Sequence, residues 1–471
     1  MTANTNRKQW SRKIEYVLTI LGFLMGFGNL WRFPYICMKN GGGAFLIPYL
    51  FVIFIVIIPV YFLEESLGQF SGKSFRNVWS YCPLVKGLGL GMQVMLVPSV
   101  CYYVMLMTWA AYYLYSAFHN PLPWSTCANE WNTVYCFNIG NTTNNRLMNS
   151  TNDINDLKLV QDQVTSSTNT SQTSVTFPVM KIQNAAEEFW QYNVLDISTG
   201  IEYFGSLKGH IVICLALIWT VVYLCVINGI TSTKKVVYVT ATIPYLLLTI
   251  LLVHNLTLPG SFDGVVFFIK PDFKSLLNIQ VWLEAAIQVF HSMSIGTGLH
   301  ITLASYNKFN NDCLRDAFVM TLAGEALTSL FGGFVIFTAL GFMAHQANVS
   351  IKEVTNSGPG LGFVAYPIAL AQMPLSNIWA VLFFFAMVIL GVHSQFTSTE
   401  QAYNYFEECY PFMAKKPKIC RGCLSLIGFV LTLPFCTQVG VYLFQLFDWY
   451  NAAFAPLFFV LVECISVAWL Y

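Results

Sequence analysis

Long apolar runs bounded by short polar or charged clusters repeat along the whole chain. They fall near 16–38, 44–70, 88–118, 210–227, 236–254, 281–305, 316–343, 376–406, 420–436 and 440–470. Each is long enough to cross the hydrocarbon of a bilayer as a helix. The pattern predicts an all-α polytopic membrane protein of about ten spans, with the longer runs tilted or extended. Two runs are interrupted. The first carries Gly22, Gly26, Gly28, Asn29 and Arg32, and the sixth carries Gln288, His291, Ser292, Ser294, Gly296 and Gly298. Glycine at this density favours local unwinding, and unwound backbone at membrane depth must face protein, water or a solute. A packing face of small residues is the plainer alternative for either stretch alone. Two breaks at matching places in two halves point instead to a solute site at the midplane.

Composition narrows the class. Hydrophobic residues make up 56% of the chain and charged residues 10%, and the mean hydropathy is +0.57, which excludes an ordinary soluble domain. A net charge of +1 argues against a nucleic-acid partner. The 13 cysteines lie mostly in apolar runs and read as packing residues. The polar start, Met1 to Lys13, followed by a run of spanning length, does not resemble a cleavable signal peptide. Arg7, Lys8, Arg12, Lys13, Lys73, Arg76, Lys234, Lys235, Lys308, Arg315, Lys415, Lys416, Lys418 and Arg421 fall on one side of the membrane, which predicts a cytoplasmic amino terminus. The sequons at Asn141, Asn149, Asn169, Asn255 and Asn348 fall on the other side, as expected of glycosylated positions. The layout is then a cytoplasmic segment 1–15, a first five-span repeat 16–254 with an external loop 119–209, an external loop 255–280, and a second repeat 281–471. Cys127 and Cys136, in a Trp-rich stretch on the oxidising side, are expected to be bridged.

Specific motifs then carry a family resemblance. Gly28-Asn29-Leu30-Trp31-Arg32-Phe33-Pro34-Tyr35, Asn40-Gly41-Gly42-Gly43-Ala44-Phe45-Leu46-Ile47-Pro48-Tyr49, Leu122-Pro123-Trp124, Ser305-Tyr306-Asn307-Lys308-Phe309, Ser357-Gly358-Pro359-Gly360-Leu361 and Leu433-Pro434-Phe435-Cys436-Thr437-Gln438 together resemble the neurotransmitter:sodium symporters. The resemblance runs from about residue 7 to the end. It implies the LeuT fold, a five-plus-five inverted repeat with discontinuous first and sixth helices, in the plasma membrane. The family has twelve spans, and this sequence lacks the last two.

The resemblance also implies site residues. Leu24, Gly26, Gly28, Tyr103, Phe290, His291, Ser292 and Ser394 would surround substrate. Leu24, Asn29, Ser292 and Glu325 would form a first sodium site, and Gly22, Met25, Leu390, His393 and Ser394 a second. Tyr49, Gln288, Ser292 and Ser329 would hold chloride. For each lone polar residue, an ordinary interhelical hydrogen bond is the alternative. Arg32 with Asp448 would close the outside, and Arg7 and Trp10 with Tyr306 and Glu408 the inside. Glu64 would accept hydrogen bonds from the unwound sixth helix. Monoamine members carry Asp where Gly26 stands, so its absence favours the amino-acid, GABA and glycine branch.

Three departures stand out. His393 replaces the usual Asp of the second sodium site, and imidazole is a poor sodium ligand. His291 replaces an aromatic lid, usually Phe. Glu325 falls where an Asn ligates the first sodium only if the seventh span holds one extra residue; without it, Gly324 takes that place, and a structural role for Glu325 stays open. The sequence therefore supports a symporter coupling sodium, with chloride as an optional second ion, to uptake of a small amino-acid-like solute. The alternative is a transport-deficient homologue acting as a binding or regulatory partner. No organic cofactor is implied, and no nucleophile–base or metal-ligand constellation points to an enzyme. Expected partners are the small solute and membrane lipid, with self-association left open.

Overall fold

The computed structural model describes residues 9–138, 183–351 and 361–470, with the backbone alone at 230–235, 361, 452 and 453. Arg7, the sequons at Asn141, Asn149 and Asn169, and most of the 357–361 motif lie outside the described residues. Among the described residues, eight helices are long and apolar enough to cross a membrane: Lys13–Lys39, Gly43–Ser71, Pro83–Ser116, Gly209–Val226, Val236–Leu256, Cys313–Ala347, Ser376–Cys409 and Pro417–Cys436. They fall on the predicted runs, and the chain is an all-α polytopic membrane protein. The sixth and tenth predicted runs are each divided. The sixth becomes Ile279–Met293 and Leu299–Ala304. The tenth becomes Gly440–Trp449 and Ala455–Ala468, joined by a π-helical turn at Tyr450–Phe454.

Burial separates inner from outer segments. The first and seventh are 78% buried over their apolar windows, whereas the fifth and ninth are 33% buried. The first and seventh therefore form the middle of the bundle, and the fifth and ninth turn leucines and isoleucines such as Leu246, Ile250, Leu426 and Ile427 outward, as lipid-facing helices require. Close approach at the centre depends on small residues. A Cβ on Gly68 would stand 2.1 Å from the Ile301 carbonyl oxygen, so only glycine lets the second segment lie against the far half of the sixth.

Both central breaks have local causes. The first segment's helix ends at Leu24, bends at Met25 and Gly26, and resumes through a π-helical turn at Gly28–Arg32. In the sixth, Ser294, Gly296 and Gly298 all take positive φ, which ends one helix and offsets the next. The freed amide of Gly296 donates to Glu64 Oε1 at 2.6 Å.

Two expectations need revision, and one element is added. The stretch 255–280 is not simply a loop: it contains the helix Ser261–Ile269, whose Gly264 packs onto the Phe337 carbonyl of the seventh segment. A further helical piece, Leu361–Gln372, precedes the eighth segment. Asn255 is not a glycan acceptor in this fold. It is fully buried in the helix Ile230–Leu256, and its Nδ2, the atom a glycan would occupy, donates to the Val335 carbonyl at 3.2 Å. Asn348, by contrast, is exposed just past the end of Leu327–Ala347. Cys127 and Cys136 are disulfide-bonded, with Cα atoms 5.7 Å apart.

Candidate functional site

The two breaks face one cavity of about 80 Å³. Gly26 and Gly28 of the first segment form one wall, Phe290, His291 and Ser292 the opposite wall, and Tyr103 and Ser394 a third. A Cβ on Gly26 would stand 3.0 Å from Ser394 Oγ and 3.2 Å from the Tyr103 hydroxyl, so a side chain there would fill the space between them. Tyr103 is held by an edge contact with Phe27, ring centroids 5.7 Å apart, and accepts the Phe27 amide. Among the described residues, no Asp, Glu, Lys or Arg lines this cavity; its polar groups are hydroxyls, amides and one imidazole. Leu24 does not line it; its carbonyl instead accepts from Asn29 Nδ2 at 2.8 Å.

Beside the cavity lies a buried cluster centred on Glu325. Its Oε1 accepts from the Tyr49 hydroxyl at 2.6 Å and from the Ser292 hydroxyl, and its Oε2 accepts from Asn29 Nδ2 at 3.1 Å. Since the Tyr49 proton goes to the carboxyl group, Ser329 is the donor in the 2.7 Å contact between their hydroxyls. Gln288 stands apart from this chain: its Nε2 donates to the Gly28 carbonyl at 2.8 Å. The extra residue that this register of Glu325 needs is accommodated by a π-helical turn, Met320–Ala326, since such a turn widens a helix by one residue. Asn29 Oδ1 is buried and has no hydrogen-bond partner among the described residues. An orphaned amide oxygen, two carboxyl oxygens and a carbonyl form an all-oxygen donor set of the kind a hard cation takes.

The remaining expected residues are not all engaged alike. Ser394 Oγ donates to the Phe23 carbonyl at 3.1 Å. His393, fully buried, reaches the Thr19 carbonyl and the Thr240 hydroxyl. Arg32 and Asp448 form a loose pair, Nη2 to Oδ2 3.8 Å, in the wall of a second cavity of about 190 Å³ that also takes in Trp31, Lys39 and Glu284. At the other end, Trp10 Nε1 donates to the Leu303 carbonyl at 3.2 Å, and its ring meets Tyr306 edge-on at 6.1 Å. The Glu408 carboxylate accepts from Ser74 and Asn77, at 2.5 and 2.7 Å, tying the eighth segment to the turn after the second.

With this geometry in view, the comparisons with known proteins are decisive. Residues 7–471 match the Sodium:neurotransmitter symporter family. The sodium- and chloride-dependent creatine transporter 1 of Mus musculus is 42% identical over 472 residues, which is 99% of this chain and 70% of that protein. The sodium- and chloride-dependent GABA transporter 2 of Rattus norvegicus is 41% identical over 470 residues, 99% of this chain and 73% of that protein. This chain belongs to the sodium:neurotransmitter symporter family. Family membership makes it a transporter-type protein rather than an enzyme, and places it beside relatives named for creatine and GABA.

One structural centre of this family member is not evident from the sequence. By sequence Arg421 counts only as one of the charges on the cytoplasmic side, yet it is 3% exposed. Its Nη1 and Nη2 grip Glu400 at 2.5 and 3.1 Å, its Nε and Nη2 grip Glu407 at 2.7 and 3.2 Å, and Nη1 also donates to the Val226 carbonyl at 2.5 Å. The fourth, eighth and ninth segments are thereby joined at one end. The signal was present in Glu400 and Glu407, seven positions apart and so on one face of the eighth helix.

Proposed function

We propose that the protein is a secondary-active symporter that carries a small amino-acid-like zwitterion together with sodium across the plasma membrane, its amino-terminal segment on the cytoplasmic side. The single observation that carries this reading is an uncharged cavity between two broken helices, directly beside the oxygen cluster of Asn29 and Glu325. A cavity without formal charge suits a solute whose own charges cancel, and a sodium ion alongside would complement its carboxylate. A monoamine would find no carboxylate to pair with. Alternating access then requires the Arg32–Asp448 end and the Trp10–Tyr306 end to open in turn, with sodium and solute jointly favouring the closed form.

Chloride is a separate matter. Tyr49 and Ser292, two of the donors expected to hold it, already donate to Glu325, and Ser329 donates to Tyr49. A fixed carboxylate on these donors supports sodium coupling that needs no chloride. The second reading, a transport-deficient binding partner, draws on His393.

Radiolabelled uptake separates the two. Cells expressing the chain should take up at least one of GABA, glycine and creatine in sodium but not in potassium buffer, and should not take up a monoamine. Normal surface expression with no sodium-stimulated uptake of any such solute would favour the binding partner instead.

A further inference from the structure

We infer that this protein binds one sodium ion rather than two, because His393 closes the place where a second ion would sit. The inference rests on the transporter reading above. The second site expected from the resemblance draws on the carbonyls of Gly22, Met25 and Leu390, the Ser394 hydroxyl and the side chain at 393. The residues present do not fit that ion. A Cβ built on Gly22 would stand 2.2 Å from His393 Cε1 and 2.6 Å from each ring nitrogen, so the imidazole lies directly against the Gly22 backbone. Both nitrogens are committed elsewhere: Nε2 lies 3.1 Å from the Thr19 carbonyl oxygen and Nδ1 2.8 Å from Thr240 Oγ1.

The protons follow from the partners. A carbonyl oxygen only accepts, so Nε2 carries the hydrogen in the neutral ring; the Thr240 hydroxyl, 3.1 Å from the Val236 carbonyl and 2.8 Å from Nδ1, then turns its one proton to the nearer Nδ1. Neither nitrogen keeps a lone pair for a cation. The Ser394 hydroxyl is turned to the Phe23 carbonyl. None of Gly22, Met25, Leu390, His393 and Ser394 carries a carboxylate, so only backbone carbonyls and one hydroxyl are left to offset the cost of stripping water from a cation there, against an imidazole that supplies neither charge nor a free lone pair. What the ring does instead is mechanical. It joins the first segment, through Thr19, to the fifth, through Thr240, from its own seat on the eighth. This tie takes over the cross-linking that a bound ion would supply, and the Asn29–Glu325 cluster is left as the sodium site.

Equilibrium binding of radioactive sodium to the purified full chain tests this. Saturation should occur at one ion per protein. Asn29→Ala should abolish it, and His393→Asp should raise the count to two. Two ions on the unaltered protein, one ion retained by Asn29→Ala, or an unchanged count in folded His393→Asp would each overturn the inference while leaving the transporter reading intact. The Asn29→Ala arm decides the matter even where His393→Asp does not fold. No saturable sodium binding at all would instead overturn the transporter reading itself, and the inference with it.

Discussion

Replacing Glu325 with glutamine should convert chloride-independent uptake into uptake that requires chloride. In the unaltered protein the carboxyl group receives hydrogen bonds from Tyr49, Ser292 and Asn29. Bonds of this kind to a charged acceptor contribute about 1.5–3 kcal/mol each. They offset much of the cost of burying the anion, which then balances a neighbouring sodium. Glutamine keeps the shape and removes the charge. Without chloride, Glu325→Gln should therefore take up solute at least about tenfold more slowly, equivalent to about 1.4 kcal/mol in sodium binding. Added chloride, drawn to the hydroxyls of Tyr49, Ser292 and Ser329, should restore a large part of the rate. Uptake measured in chloride and gluconate buffers, normalised to surface protein, provides the check. A chloride requirement in the unaltered protein, or none in Glu325→Gln, would refute the charge-balancing role.

Arg421→Met should be the most destabilising single change outside the solute site. Its guanidinium is the shared partner of the Glu400 and Glu407 carboxylates, and it also satisfies the Val226 carbonyl. Removing one partner from a buried ion pair costs about 3–5 kcal/mol, because the remaining charges stay buried and unpaired. The expected result is a clear fall in Tm and in the yield of folded, surface-exposed protein. The cause is separable from lost packing. Combining Arg421→Met with Glu400→Gln and Glu407→Gln should recover part of the loss, since no carboxylate is then stranded. An unchanged Tm in the single variant, or a triple variant worse than the single one, would contradict the clamp.

The hydrophobic runs placed the crossing helices because apolar length is a property that bilayer thickness selects directly. The divided sixth segment was legible for a comparable reason: Gly296 and Gly298 announce positive φ, although Ser294, which adopts it as well, does not. Glu325 was legible only as a choice between registers. An extra residue absorbed by a π-helical turn leaves no periodic mark in Met-Thr-Leu-Ala-Gly-Glu-Ala, and only coordinates show its carboxyl group on Tyr49 and Ser292. Asn255 misled because a three-residue sequon carries no information about burial; its amide instead ties the fifth segment to the seventh. His393 was recognised as a departure, but its engagement with Thr19 and Thr240 depends on how three helices meet, which no local pattern encodes. Arg421 shows the limit of counting charges, since a cation that helps to orient a loop can also be buried by tertiary packing.

Sodium-driven accumulation in proteoliposomes tests the central claim most directly. Vesicles holding the purified full chain and a zwitterionic solute identified by the uptake panel are given an inward sodium gradient, with gluconate as the only anion. Solute should rise inside the vesicles well above its outside concentration, and a sodium ionophore should return it to equality. Solute that merely equilibrates, with or without the ionophore, would contradict coupled transport through the site between the two broken helices.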